Sequence, residues 1–387
     1  MLGKQITVCT IAGFAIKVHA SWLIIAALVT WSLAEGYFRQ YDANLSATTR
    51  WVMGIAGAMG LFISVVLHEL SHSLVARRYG LDMKGITLFI FGGMAEMAEE
   101  PPNARAEFMM AIAGPLASVG IGFGFYAMAA MGGMANVVPS VLLVFGWLGL
   151  VNLVLAVFNM IPGYPLDGGR VLRSALWAWK GNLTWATRIS SVIGSTFGIA
   201  LIALGVLEAI YGYLVSGFWM FLIGMFIRFA AKQGYQQVLV RQTLHGEPVH
   251  RLMNPSPVTV PAGVTVQQLV DDYVYKYHYH LFPVMNEGQL VGCVDTRRLR
   301  DVPKDQWGQL TVGQVLDPSC EHYIIESHED AMQALTRMTS QDVSRLMVVD
   351  DGRLAGMLTL KDLTKFMALK MELEGQDAPS GHLPRPT

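Results

Sequence analysis

Charge is scarce in this sequence. Of its 387 residues only 15% are Asp, Glu, Lys or Arg, against about 25% in an average soluble domain, and mean hydropathy is +0.40. The shortage is local. Between Ser21 and Ala231 apolar runs are broken only by short polar intervals, whereas the stretch after Gln242 has ordinary soluble composition. That shift predicts a membrane domain followed by a water-soluble one. The net charge of −1 offers no field for nucleic acid, so no such partner is expected. Cysteine is rarer still: Cys9, Cys293 and Cys320 form no CxxC pair, which argues against a disulfide framework and against a thiolate metal site. A cleaved leader is not expected either. The apolar run starts only near Ala20, after an alternating stretch that begins Ile6-Thr7-Val8-Cys9-Thr10.

What is present in quantity is long hydrophobic runs. Crossing a bilayer takes about 20 apolar residues, and segments near 20–36, 52–76, 106–131, 137–159, 186–211 and 216–232 meet that need. The fold class expected is a polytopic α-helical membrane protein of six transmembrane helices with a small β-segment, carrying a C-terminal α/β domain. With the N-terminus in the cytoplasm, that side receives most of the basic residues, among them Lys4, Arg77, Arg78, Lys84, Arg105, Arg170, Arg173 and Lys180. The other side receives only Arg39 and Arg50. The positive-inside rule therefore puts both termini in the cytoplasm of a multi-pass inner-membrane protein surrounded by lipid.

The second run contains His68-Glu69-Leu70-Ser71-His72, an HExxH. Helical residues four apart share a face, so both imidazoles can reach one metal ion, with Glu69 beside it as general base. Chance can produce this pattern in a soluble chain. Inside a span it is harder to dismiss, because buried ionisable groups cost about 2.5–3.5 kcal/mol each even on a lenient scale. A metal ion offsets that cost. A catalytic zinc takes a third protein ligand and keeps one open position. Asp167, in Asn159-Met160-Ile161-Pro162-Gly163-Tyr164-Pro165-Leu166-Asp167-Gly168, fits that place. It equally fits the N-cap of the helix suggested by Arg170 to Leu176. Topology favours the ligand, since Asp167 and the HExxH both approach the cytoplasmic end of their segments.

HELSH on one span and NMIPGYPLDG after a later one together resemble the paired signature of the site-2 protease family of intramembrane metalloproteases. The resemblance covers nearly the whole chain, including the strand-like N-terminal segment that ends Val18-His19-Ala20-Ser21-Trp22. It implies zinc on His68, His72 and Asp167, activation of water by Glu69, and Asn159 as a donor to the oxyanion. Asn152, seven residues earlier, is read as an inter-helix hydrogen bond. There is one departure. The family often carries an Asn shortly after a Gly-Pro in the third span, where this chain reads Gly114-Pro115-Leu116-Ala117-Ser118. That weakens any role assigned there, and Gly114 is read as a close helix contact. Ile86-Thr87-Leu88-Phe89-Ile90-Phe91-Gly92-Gly93 reads as a strand and turn, whose free edge suits an extended peptide.

After the spans the sequence repeats itself. Phe282-Pro283-Val284-Met285-Asn286-Glu287-Gly288 echoes Leu346-Met347-Val348-Val349-Asp350-Asp351-Gly352, and Met253-Asn254-Pro255-Ser256 echoes Leu316-Asp317-Pro318-Ser319. The repeat resembles a pair of CBS domains, which implies pairing into one unit, a homodimer, and adenine-nucleotide binding through Gly356, Thr359 and Asp362. The first copy has Arg298 where the second has Asp362, so at most one good nucleotide site is expected. The division expected is 1–240 for the transmembrane metalloprotease domain and 241–374 for the CBS pair (copies near 249–306 and 310–373). A disordered tail is expected over 375–387.

Together these features predict a zinc metalloendopeptidase that cuts transmembrane segments of regulated membrane proteins, such as anti-sigma-factor-like ones. Two other classes compete. A CBS-regulated transporter or channel would leave the HExxH unexplained. An inactive scaffold of protease descent would not require Glu69.

Overall fold

The computed structural model describes residues 5–42, 44–81, 83–89, 92–97 and 100–373. Within them the chain splits into two compact units, residues 1–235 and 236–387. Ile90 and Phe91, and the tail beyond Leu373, lie outside the described residues.

The first unit opens with a hairpin, β1 (Gln5–Ile11) and β2 (Phe14–His19). Its two-residue turn, Ala12-Gly13, has positive φ at both positions, the geometry that matches strand twist. β2 pairs in parallel with β3 (Met83–Phe89), and β3 pairs antiparallel with β4 (Gly92–Met97), giving the order β1-β2-β3-β4. The two glycines expected to make a turn are the first residues of β4 instead.

Among the described residues, six helical segments are long and apolar enough to cross a membrane. The first, Ser21–Tyr41, is α1 (Ser21–Trp31) continued through a π-helical turn into α2 (Phe38–Tyr41). The others are α3 (Ala47–Arg78), α4 (Ala104–Met134), α5 (Pro139–Asn159), α7 (Leu183–Ile210) and α8 (Leu214–Leu244). The shorter α6 (Asp167–Lys180) lies between α5 and α7. Local chemistry sets the starts. Ser46, Asn103 and Asn182 each accept from a backbone N–H three residues on, at the heads of α3, α4 and α7.

Buried polar links tie these helices. Asn152 of α5 donates through Nδ2 to Ser64 of α3 at 3.1 Å and to the Leu148 carbonyl at 2.8 Å. The inter-helix role read for Asn152 is thus present in the fold. Glu107 at the head of α4 and Arg173 of α6 are both buried and joined as an ion pair, with Arg173 Nε donating to Glu107 Oε1 at 2.5 Å.

The second unit holds two three-stranded sheets of matching design. β5 (Val260–Pro261) runs parallel to β6 (Leu281–Asn286), which pairs antiparallel with β7 (Gln289–Asp295). β8 (Ile324–Glu326), β9 (Arg345–Asp350) and β10 (Arg353–Thr359) repeat this. The turns Glu287-Gly288 and Asp351-Gly352 have positive φ throughout. The copies exchange strand partners: Asn254 bridges to Met357 of the second copy, and Asp317 to Cys293 of the first.

That exchange corrects one expectation. Cys293 and Cys320 form a disulfide, although no CxxC spacing announces it. The Cys293–Asp317 bridge brings two thiols 27 residues apart to one place.

Candidate metal centre and nucleotide motif

The HExxH occupies the C-terminal part of α3. Ser64, His68, His72 and Ala76 recur every four residues and are all buried, so this stripe faces the interior as helical spacing requires. Asp167 is the first residue of α6, following the turn that leaves α5. Leu166 is the N-cap residue, and no side chain caps the helix. The Asp167 carboxylate points instead at the histidines, with Oδ2 3.0 Å from His68 Nε2 and 3.3 Å from His72 Nε2.

The two Nε2 atoms are 3.2 Å apart. Ligands about 2.0–2.1 Å from a tetrahedral zinc stand about 3.3 Å from one another, and three such separations are found here. His72 Nδ1 lies 2.6 Å from the Met110 carbonyl, which only accepts. Nδ1 therefore carries a proton, and Nε2 presents its lone pair when the ring is neutral. Two imidazole nitrogens and a carboxylate oxygen this close together are a donor set that suits one shared divalent cation. His68, His72 and Asp167 form a cluster with the geometry to hold a metal ion.

α4 leaves space beside the two histidines. A Cβ added at Gly114 would lie 2.2 Å from His72 Nε2 and 2.6 Å from His68 Nε2, so only glycine keeps the space against both ligand atoms open. The close helix contact read for Gly114 is a contact with the histidine pair itself. Gly168 plays a similar part for Asp167. A Cβ there would meet the Met160 carbonyl at 2.2 Å, so the turn after α5 packs directly on the start of α6.

Glu69 is half-buried and follows His68 directly on α3. Asn159 is the last residue of α5 and half-buried. Among the described residues no hydrogen bond joins it to the histidine–aspartate cluster. Met110 as a ring partner of His72 is not readable from any motif. Nor is Ser118, whose Oγ lies 2.9 Å from His68 Nδ1. Both contacts cross between helices, and neither carries a sequence signature.

In the second unit, Thr359 Oγ1 donates to Asp362 Oδ2 at 2.6 Å, and the Asp362 N–H donates back to Thr359 Oγ1 at 3.2 Å. Gly356 lets Asn254 approach, since a Cβ there would meet the Asn254 carbonyl at 2.6 Å. The first copy differs in kind. Asp295, in the place of Thr359, accepts from the Arg297 guanidinium and from the Tyr323 hydroxyl, and Arg298 pairs with Asp317. Burial pushes the Asp295 carboxyl up, but these donors outweigh it and hold it below the usual carboxylate range.

Comparison with known proteins agrees on both units. The sequence pattern of peptidase family M50 matches residues 56–142 and 134–205, and that of the CBS domain matches 249–305 and 312–369. Zinc metalloprotease MJ0392 of Methanocaldococcus jannaschii is 33% identical over 376 residues, covering 96% of this chain and 100% of that protein. Rip3 of Mycobacterium tuberculosis is 34% identical over 359 residues, 92% of this chain and 91% of that one. The solved site-2 protease of Methanocaldococcus jannaschii is 28% identical, with a TM-score of 0.42, over 59% of this chain and 94% of its own.

Proposed function

The chain belongs to peptidase family M50 and is a multi-pass membrane zinc metalloprotease of the site-2 type; from that premise we propose that His68, His72 and Asp167 hold the zinc and that Glu69 is the general base. The observation that carries the assignment is the convergence of three ligand atoms, 3.0 to 3.3 Å apart, from residues 99 positions apart in sequence. Zinc in such a site supplies Lewis acidity for peptide hydrolysis. Glu69 takes the proton of the attacking water and hands it to the leaving amine. Asn159, through its amide N–H, donates to the developing oxyanion.

The substrate is a transmembrane segment of a regulated membrane protein, of the anti-sigma-factor type. Its helix must unwind locally, because helical carbonyls are hydrogen-bonded and shielded by side chains. β3, on which the free edge was expected, is paired on both sides by β2 and β4. Among the described residues the outer strand on that side is β4, and an unwound peptide can pair with such a strand edge. Both termini lie in the cytoplasm, which a reporter fused to the C-terminus tests by its compartment. The CBS pair associates as a homodimer, measurable as the mass of the purified protein. It takes one adenine nucleotide per chain beside Gly356, Thr359 and Asp362.

Glu69→Gln tests the mechanism. The variant is expected to keep its zinc and to lose cleavage of a transmembrane substrate by about 10²–10⁴-fold, the usual share of a general base. Cleavage at the wild-type rate with zinc retained would remove Glu69 from the mechanism.

A further inference from the structure

Three positions of α4, Met110, Gly114 and Ser118, recur every four residues and lie on one helical face. Each of them meets the histidine pair. The Met110 carbonyl takes the Nδ1 proton of His72, Gly114 clears the space beside both Nε2 atoms, and Ser118 Oγ lies 2.9 Å from His68 Nδ1. Of the three, only Ser118 acts through a side chain that can be changed without altering the backbone. It is fully buried, as is His68, so water does not compete for this hydrogen bond.

We infer that Ser118 is a positioning residue for the metal centre: its hydroxyl oxygen accepts the Nδ1 proton of His68 and so holds Nε2 as the lone-pair donor. The chemistry follows from the two ring nitrogens. A neutral imidazole carries one proton, and a partner for that proton at Nδ1 leaves Nε2 free to bind a cation. Without the partner, the Nδ1–H is buried and unpaired, and the ring is free to rotate or to move its proton to Nε2. Hydrogen-bond partners of this type commonly govern about 10–100-fold in metal affinity. For His72 the same task falls to a backbone carbonyl, which no side-chain replacement removes. The two rings are thus held by different devices, and only the one at His68 is open to mutation.

The inference rests on the zinc reading of His68, and the experiment separates the two. Full-length protein in detergent is titrated with Zn²⁺ against a chelator for the wild type and four variants: Ser118→Ala, Ser118→Thr, Ser118→Val and His68→Ala. Thr and Val have nearly the same shape, but only Thr keeps the acceptor oxygen. Their comparison therefore cancels any cost of adding a branched side chain, and metal-free thermal unfolding checks that both variants are folded. The expected result is a loss of about 10–100-fold in zinc affinity for Ala and Val, with Thr restored toward the wild type. Bound Co²⁺ is expected to show an altered visible spectrum in Ala and Val but not in Thr. Equal zinc affinity in Thr and Val, with His68→Ala depleted of metal, would overturn the role of Ser118 and leave the zinc site standing. Wild-type affinity in His68→Ala would overturn both.

Discussion

At the scale of single residues, the proposed metal centre is defined as much by what is missing as by its candidate ligands. Gly114 has no side chain where any Cβ would stand 2.2 Å from His72 Nε2, nearer than two unbonded atoms can approach. Gly114→Ala is therefore expected to abolish zinc binding while α4 itself forms normally, since Ala is the better helix former. Zinc content and helical circular dichroism of the purified variant check the two halves of that statement. A zinc-loaded, folded Gly114→Ala protein would show that the histidines sit farther from α4. The HExxH was legible in the sequence because both ligands share one helix and a fixed period. Asp167 was legible only as one of two options, cap or ligand; in the fold it makes no side-chain cap bond and its carboxylate lies against both histidines. Ser118 and the Met110 carbonyl were not legible, because a hydrogen bond between helices leaves no periodic trace.

At the scale of elements, α6 matters because it begins with Asp167, and the Glu107–Arg173 pair fixes it against α4. Both partners are buried. Although Arg173 also meets Glu100 and Arg170 approaches Glu107, losing either breaks the shortest contact of a buried ion pair, which typically costs up to about 3–5 kcal/mol. Glu107→Ala and Arg173→Ala are each expected to lower stability by about that amount. The double variant should cost less than the sum, because the two single changes remove the same Glu107–Arg173 contact. Denaturant unfolding of the three proteins reads the coupling directly, and strict additivity would show that the pair does not act as a unit. The six spans were readable from hydropathy, although the last helix runs to Leu244, past the 216–232 expected, because its polar C-terminal turns stay helical. The disulfide and the exchanged bridges of the second unit were hidden, since both depend on how the two copies intertwine rather than on any local pattern.

At the scale of the whole molecule, one chain carries a protease unit and a pair of CBS domains. The two CBS copies have the same strand plan but different chemistry at matching positions. Thr359 and Asp362 bond mainly to each other, whereas Asp295 and Arg298 are committed to Arg297, Tyr323 and Asp317. One nucleotide per chain is expected on that ground. An adenine nucleotide should raise the unfolding temperature of the wild type, and Asp362→Ala should remove the effect, while Arg298→Ala leaves it. An unchanged shift in Asp362→Ala would move the site elsewhere or exclude it. The membrane unit depends on a different convergence, between α3 and α6, that no single stretch of sequence contains. Zinc stoichiometry of the purified full-length wild type and of Asp167→Ala tests it most directly. The account predicts one zinc per chain in the wild type and its loss in the variant. Full retention of zinc by Asp167→Ala would contradict it, and would show that the two motifs do not share one ion.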